Sequence, residues 1–474
     1  MGSAAGSTRK SHFGWGYGTR GYGPRSGRVS FTGTSLTHFG GLLVLQRFMQ
    51  QLGLRSLFAH HVRFNQRNTR YAISASLLAW LYPIILGLGR IDAIRLLQRN
   101  GVFQYLTGLP TYPDPQTLRR FLVRFGESGL SRFLRLHDPL RQTLVNRPRR
   151  LASIILDWDT TVLTVYGKQQ RAALGFNPKQ RGRPSYLPRL CFEGQTRDGW
   201  EASSPPGDTQ PSSVIRPALE RAFAKRPPHV REIRVRADAA CYAHKLIECL
   251  EETRAFYAIP ARLTKPLKAR GTAARYRCVS GTVSAAELWY QPTGGPGPRR
   301  FMAIRRPAPE EPSGQLTLWR LGKYTSQVIV TNLALTPLYV WRFYHDRAGA
   351  ELVIRALKEA YALGKLPTQI WAANVASFQL VVLAYNLLNW VKRLCVAPAW
   401  QRLTLHTLRN QRLLIPAELI RPQGRPVLKM PSRCPHQAPC RDTLKRIARF
   451  RFNLRPAAPR GLRLDEHQQP LARR

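Results

Sequence analysis

The chain has 474 residues with 74 Lys and Arg against 26 Asp and Glu, a formal net charge of +48. Such an excess excludes an acidic or ordinary neutral metabolic enzyme and favours a polyanionic partner, because phosphate backbones reward a basic surface through counterion release. At 43% apolar and 10% aromatic residues there is enough hydrophobic surface for sizeable cores, which excludes a wholly disordered basic tail. The seven Cys are odd in number and scattered, which fits a reducing, cytoplasmic setting and no disulfide framework.

Residues 1–30 mix Gly, Ser, Arg and aromatics without the apolar run of a signal peptide, and read as a disordered basic lead-in. Residues 31–150 read as a helical region, with helices over Leu42 to Val62, Tyr71 to Gln98 and Pro115 to Phe125. The last of these turns Arg119, Arg120 and Arg124 outward while Leu118, Phe121 and Leu122 face a core. Such a helix can lie in a major groove; the plainer alternative is a solvated basic face. Tyr71 to Gly89 and Trp371 to Val391 are each about twenty residues long and free of charge, the length of a membrane span. Both carry several Ser, Asn, Gln, Pro or Gly residues, so buried core helices are the preferred reading and no membrane partner is expected.

A strand and helix alternation starts at Leu151. Residues 153–159 form a β-branched strand ending in Asp157-Trp158-Asp159, and a Gly- and Pro-rich basic loop follows over Gly175 to Pro188. The spacing then predicts a strand near Leu190 to Phe192, a helix over Val214 to Ala224, a strand Glu232 to Ala237 closed by Asp238, a helix Tyr242 to Glu252 and a strand Ala255 to Ile259. Residues 262–323 are irregular, basic and rich in Gly and Pro, and read as an insertion. The strand Ser326 to Asn332 leads into one long helix, Leu338 to Leu363, and an apolar helix, Ile370 to Leu394, before a basic tail from residue 397 to 474. The boundaries are thus 1–30, 31–150, 151–261, 262–323, 324–396 and 397–474.

In a chain so poor in carboxylates, acids closing apolar strands need a reason. Asp157 and Asp159 share a strand face, so periodicity does not choose between them, and Asp238 ends a strand where open α/β sheets commonly carry a site. Along the long helix, steps of about 100° from Tyr344 place Arg347 at about −60°, Glu351 at about −20° and Lys358 at about −40°, one narrow face. An ion-pair stripe would be the default for this face, but the spacing is Tyr-x2-Arg-x3-Glu-x6-Lys.

That spacing resembles the signature helix of DDE transposases of bacterial insertion sequences. Residues 156–162 (Leu-Asp-Trp-Asp-Thr-Thr-Val), 166–169 (Tyr-Gly-Lys-Gln), 175–186 (Gly-Phe-Asn-Pro-Lys-Gln-Arg-Gly-Arg-Pro-Ser-Tyr), 331–333 (Thr-Asn-Leu) and 384–388 (Ala-Tyr-Asn-Leu-Leu) are similar to the insertion-sequence 1380 family. The resemblance implies an α/β fold: an RNase H-like catalytic core (151–261 and 324–396), an inserted β-rich subdomain between the second and third acids, and an all-helical N-terminal DNA-binding region. It implies a metal triad of Asp159, Asp238 and Glu351, with Asp159 preferred over the alternate Asp157 because a Thr follows it. Tyr344, Arg347 and Lys358 would grip phosphates. Lys168, Arg181 and Arg183, with Arg119 and Arg120, would hold double-stranded DNA at element ends and target. Mg²⁺ is the implied cofactor, with Mn²⁺ as a substitute and no ATP. A homodimer on DNA in the bacterial cytoplasm, associated with the nucleoid, is the implied setting, and cut-and-paste transposition the implied activity. After Asp238 the sequence Ala239-Ala240-Cys241-Tyr242 departs from the family's Asp-Ser-Gly-Phe-aromatic pattern, which keeps open the alternative of a repurposed transposase that only binds DNA. Trp289 and Trp319 are candidates to stack on a flipped base, with a core aromatic the plainer role. Cys434 to Cys440 lacks the second ligand pair of a zinc site.

Overall fold

A computed structural model describes residues 33–64, 70–209, 215–308, 319–321 and 323–452. The expected lead-in over 1–30 and the tail from 453 onward lie outside the described residues. The N-terminal part is built of helices Leu42–Gln51 (α1), Leu54–His61 (α2), Ile73–Leu86 (α3), Gly101–Thr107 (α4), Pro115–Val123 (α5) and Gly126–Leu144 (α6). The single helix expected over 42–62 is split because Gly53 takes a left-handed φ of 63°, which costs glycine little. Likewise α3 stops at Gly87, whose φ is 81°, so the helix expected through Gln98 gives way to short turns. At α5 the sequence signals hold: Asp114 accepts from the backbone N–H of Gln116 and Thr117 at 2.8 and 3.0 Å, and Pro115 supplies the first turn.

The second part is a mixed sheet with helices on it. Its elements in chain order are β1 (Ser153–Thr160), β2 (Arg189–Glu193), β3 (Gly199–Ser203), α7 (Ile215–Ala224), β4 (Glu232–Ala237), α8 (His244–Glu252) and β5 (Phe256–Pro260). They continue with α9 (Lys265–Ala273), β6 (Arg277–Ser280), β7 (Val283–Tyr290), β8 (Arg299–Pro307), β9 (Trp319–Leu321) and β10 (Tyr324–Thr331). The ten strands run in the order β6-β7-β8-β10-β5-β4-β1-β2-β3, with β9 paired on β10. Only the β1–β4 and β4–β5 pairs are parallel. The strands of the region read as an insertion extend this same sheet through β8 and β10.

Three helices follow, α10 (Pro337–His345), α11 (Ala348–Ala360) and α12 (Trp371–Cys395). The stretch read as a tail from 397 folds as well, with helices Leu405–Arg412 and Gln437–Arg449, whose Leu405, Leu408 and Ile447 join the main core, and strands Ala417–Ile420 and Val427–Lys429. Helix α12 is the apolar segment that resembles a membrane span, and 94% of its apolar window is buried inside the fold. Its polar residues explain why a helix this apolar sits in a protein core: each satisfies a backbone group or side chain that the core would otherwise strand. Gln379 donates to the Ala202 carbonyl (2.8 Å), Asn389 to Asp198 (2.8 Å), and Ser377 accepts from the Trp80 indole (2.9 Å). Asn386 accepts from the N–H of Gly199 at 2.7 Å and donates to its carbonyl at 3.0 Å. A Cβ on Gly199 would come within 2.9 Å of Val382, so glycine is what allows β3 this close approach. Replacing Asn386 by Leu leaves the Gly199 N–H buried without an acceptor, while its carbonyl keeps Arg141 at 2.7 Å. The expected loss is about 1–3 kcal/mol of stability, read as a lowered urea midpoint with an unchanged slope.

Candidate active site

The sheet's parallel centre sets the site. Strands β1 and β4 pair in register with Asp157 opposite Arg236 and Trp158 opposite Ala237, so the next position up brings Asp159 beside Asp238 at the carboxyl ends of both strands. Arg236 closes on Asp157 with two contacts, Nε at 2.5 Å and Nη2 at 2.8 Å, and Arg197 adds a third at 3.2 Å. Asp157 is fully buried. Burial pushes its carboxyl up from the ordinary range, against the pull of Arg236, Arg197 and Arg347.

The third group comes from a helix that the sequence reads as continuous over 338–363. The structure corrects this: the chain forms α10 and α11 with a break at Asp346 and Arg347. The cause lies in two carbonyls. In an unbroken α-helix the carbonyl of Phe343 would accept from Arg347 and that of Asp346 from Ala350. Instead Arg236 donates to Phe343 at 2.5 Å and Arg197 to Asp346 at 3.3 Å, while the N–H groups of Arg347 and Ala350 turn to Tyr344 and Arg347 three residues back. The guanidinium of Arg197 passes over Gly349, where a Cβ would lie 2.2 Å from its Cζ. Both arginines that hold Asp157 therefore also hold the helix break.

At that break Arg347 is buried between two acids. Its Nη1 lies 3.3 Å from Asp159 and its Nη2 2.6 Å from Glu351. Asp238 stands close by: its Oδ2 accepts from Thr160 at 3.4 Å, and its Oδ1 caps the short turn Ala239–Cys241. Burial pushes Asp159 up to about 7; Arg347 pulls it down, and the charges of Asp238 and Glu351 push it up again. Burial also opposes the charge of Arg347, but Tyr344, Asp159, Glu351 and Asp238 outweigh it and raise its pKa. The Tyr344 ring lies 5.7 Å from the guanidinium, and burial first of all raises the phenol.

Three carboxylates with oxygen-only donors suit a hard divalent cation such as Mg²⁺. Among the described residues, however, no three acids, His or Cys already stand close enough together to hold an ion, because the Arg347 guanidinium lies between Asp159 and Glu351. The donor set fits a metal, and the arginine has to give up one carboxylate for the acids to close on it. Lys358 is half-buried and donates to the Val162 carbonyl at 3.3 Å; burial and Lys179 lower its pKa.

The remaining expected residues lie further out. Lys168, Arg181 and Arg183 are exposed on the loop after β1. Arg119 is tied down by Asp92 at 2.7 Å and the Pro367 carbonyl at 3.3 Å, whereas Arg120 faces solvent. Trp289 is exposed and lines an open cleft of about 760 Å³ with Arg300, Glu287 and Asn332; the Trp319 side chain lies outside the described residues. Arg236 and Arg197 were not singled out from the sequence. A signal for Arg236 was present: it stands two residues before Asp238 as Asp157 stands two before Asp159, and parallel pairing makes the two face each other.

Paired strand ends thus carry Asp159 and Asp238, and the helix bearing Arg347 and Glu351 lies across them. Residues 22–452 match the family described as transposase DDE domain group 1, and the chain belongs to it; it is a transposase, a protein of DNA transposition and recombination. Among solved structures it is similar to a piggyBac transposase in a synaptic complex with hairpin DNA, seen by cryo-EM, at 10% identity and a TM-score of 0.43 over 80% of each chain. No curated protein matches the sequence.

Proposed function

We propose that the protein cleaves DNA at the ends of an insertion sequence and joins them to target DNA in cut-and-paste transposition, from an RNase H-like core of the insertion-sequence 1380 type. The observation that carries this reading is the convergence of Asp159, Asp238 and Glu351 around one buried guanidinium, on top of membership of the DDE family. Asp159 is the first acid: Asp157 is taken up by Arg236 and Arg197, while Asp159 stays with the other two carboxylates.

In the first step water attacks the scissile phosphorus, its proton passes to solvent, and the 3′-oxygen leaves. In the second the freed 3′-hydroxyl attacks a target phosphodiester, so one P–O bond forms as another breaks. Two Mg²⁺ ions, with Mn²⁺ as a substitute, would stabilise the attacking and leaving oxygens when bound, and Asp159, Asp238 and Glu351 would hold them. Arg347, freed from one carboxylate, would grip a phosphate oxygen with its planar fork; Lys358 would add a point charge and Tyr344 a hydroxyl. Lys168, Arg181 and Arg183 would hold the end DNA, with Arg120 and the α5 face on flanking duplex. Two copies would bring two ends together.

The test is cleavage of a labelled duplex carrying the element's ends in Mg²⁺ by wild type and Glu351→Gln. Wild type alone cuts and both bind. If both bind and neither cuts, the protein is a DNA-binding derivative, as the altered residues after Asp238 would then explain; if both cut, Glu351 is not the third acid.

A further inference from the structure

Between Asp159 and the next strand of the large sheet the chain builds a small arm of its own. Leu163–Thr164, Ala173–Leu174 and Pro184–Tyr186 form a three-stranded antiparallel sheet with Pro184–Tyr186 in the middle. Its inner side is anchored. Leu163, Val165 and Tyr186 are buried, with Leu366 and Trp371 packed against them. The Tyr186 hydroxyl donates to the Gln170 carbonyl at 2.5 Å, the Gln170 N–H donates to Gln369 at 2.8 Å, and the Arg171 guanidinium lies 4.1 Å from the Trp371 ring centre. Buried Asn177 donates to the Thr164 hydroxyl at 3.1 Å and accepts from the Gln180 N–H at 3.2 Å. The arm's shape is therefore set before any partner arrives.

Its outer side is of a different kind. Tyr166, Leu174 and Phe176 are 72%, 64% and 66% exposed, three large apolar side chains within a short span of surface. Interleaved with them are the exposed Lys168, Lys179, Arg181 and Arg183, and no Asp or Glu occurs from residue 160 to 192. The Arg183 guanidinium lies 5.8 Å from the Tyr166 ring centre. Cations alone would serve to hold a duplex backbone, and leave the exposed rings without a purpose. An apolar protein partner would explain the rings, and leave the exposed Lys168, Lys179, Arg181 and Arg183 facing it. A nucleic acid strand with unpaired bases uses both, because rings stack on base faces while cations follow the phosphates. In a closed duplex those base faces are covered by neighbouring pairs, so the rings gain access only where pairing is open.

The arm's root places that opening. It leaves β1 directly after Asp159, and Lys358 of α11 donates to the Val162 carbonyl at its base. We infer that the arm over residues 163–186 holds unpaired bases next to the carboxylates, with Tyr166 and Phe176 stacking on them and Lys168, Lys179, Arg181 and Arg183 holding the strand. This deepens the reading of the site as a DNA-cleaving centre and rests on it for the meaning of the opening.

The test is binding of the full chain, in EDTA to prevent cleavage, to two labelled duplexes of one mixed sequence. One is fully paired, and the other carries a short mispaired run with 2-aminopurine in it. Wild type binds the opened duplex about tenfold or more tighter, as one or two stacked bases would give, and the probe's fluorescence is quenched. Tyr166→Ala with Phe176→Ala closes the gap between the two duplexes and loses the quench, whereas Tyr166→Trp keeps both. Lys179→Ala with Arg181→Ala weakens both duplexes to the same degree. Because these side chains are exposed, an unchanged melting curve confirms that the variants fold. Equal affinity of wild type for the two duplexes overturns the inference, as does a Tyr166 and Phe176 variant that keeps the preference. Loss of dimers in that variant, with the preference kept, also overturns it and makes the face a contact between copies. Failure of the Glu351 cleavage test leaves this binding difference untouched, so the two readings fail separately.

Discussion

Asp159→Asn is expected to lower cleavage by about a thousandfold or more, the scale on which loss of a group acting in the transition state is felt, and yet to make the protein without metal more stable at pH 8. The second half follows from the site's electrostatics. Burial, Asp238 and Glu351 hold the Asp159 carboxyl near 7 against the single opposing charge of Arg347, whereas the unfolded chain titrates it near its ordinary value of about 3.9. Between these values the folded state binds more protons than the unfolded one, so stability falls as pH rises from about 4 to about 7. A gap of about three pH units corresponds to at most about 4 kcal/mol above pH 7. Asparagine removes that charge and can still accept from the Thr160 N–H, which Asp159 takes at 2.8 Å. The variant should melt a few degrees above wild type at pH 8, and no higher at pH 5, where Asp159 is already protonated. Added Mg²⁺ should raise the wild-type melting temperature at pH 8 and leave the variant's nearly unchanged. A variant that melts below wild type at pH 8 would show that Asp159 serves the fold and not a metal.

The acids were conspicuous because each interrupts a local pattern: a carboxylate closing a β-branched strand, or a Glu at fixed helical distance from Tyr, Arg and Lys. So were β1, β4 and α12, whose apolar periodicity is strong. The helix break at Asp346 was not legible, since the apolar pattern over 338–363 reads as one helix and the two guanidiniums that take carbonyls at the break come from 107 and 149 residues earlier in the chain. Gly53 and Gly87 ended helices early for a local reason, a left-handed backbone, that a pattern of apolar residues does not record. The β-rich character of 262–323 was implied by the resemblance alone: its Gly- and Pro-rich turns and exposed basic residues hid the individual strands at 277–307, which depend on long-range pairing with Tyr324–Thr331 that local propensity does not carry. In the same way, the resemblance implied a phosphate role for Arg347, and only the tertiary arrangement shows it bridging Asp159 and Glu351.

The same strand carries a contrasting prediction. Asp157→Ala, two residues before Asp159 and on the same face, should destabilise the protein by about 3–5 kcal/mol, because it leaves the buried Arg236 guanidinium without its bidentate partner. Arg236 is 2% exposed and cannot turn to water without opening the sheet between β1 and β4. Loss of the carboxylate also releases Arg197 and Arg236, and with them the hold on the carbonyls of Asp346 and Phe343 at the break between α10 and α11. The chain can then restore the continuous helix that its local sequence favours, swinging Arg347 and Glu351 away from Asp159. The defect should therefore exceed the stability loss: at a temperature where the variant remains folded, cleavage falls while DNA binding persists. Arg236→Met in the Asp157→Leu background separates the two effects. Replacing both charges by apolar groups of similar size recovers most of the stability, since a buried ion pair is costly to half-remove and often neutral to remove whole. It does not recover cleavage, since neither new side chain can bond to the Phe343 carbonyl. A double variant that regains both would show that the ion pair serves stability alone, and that the helix break is held by something other than these arginines.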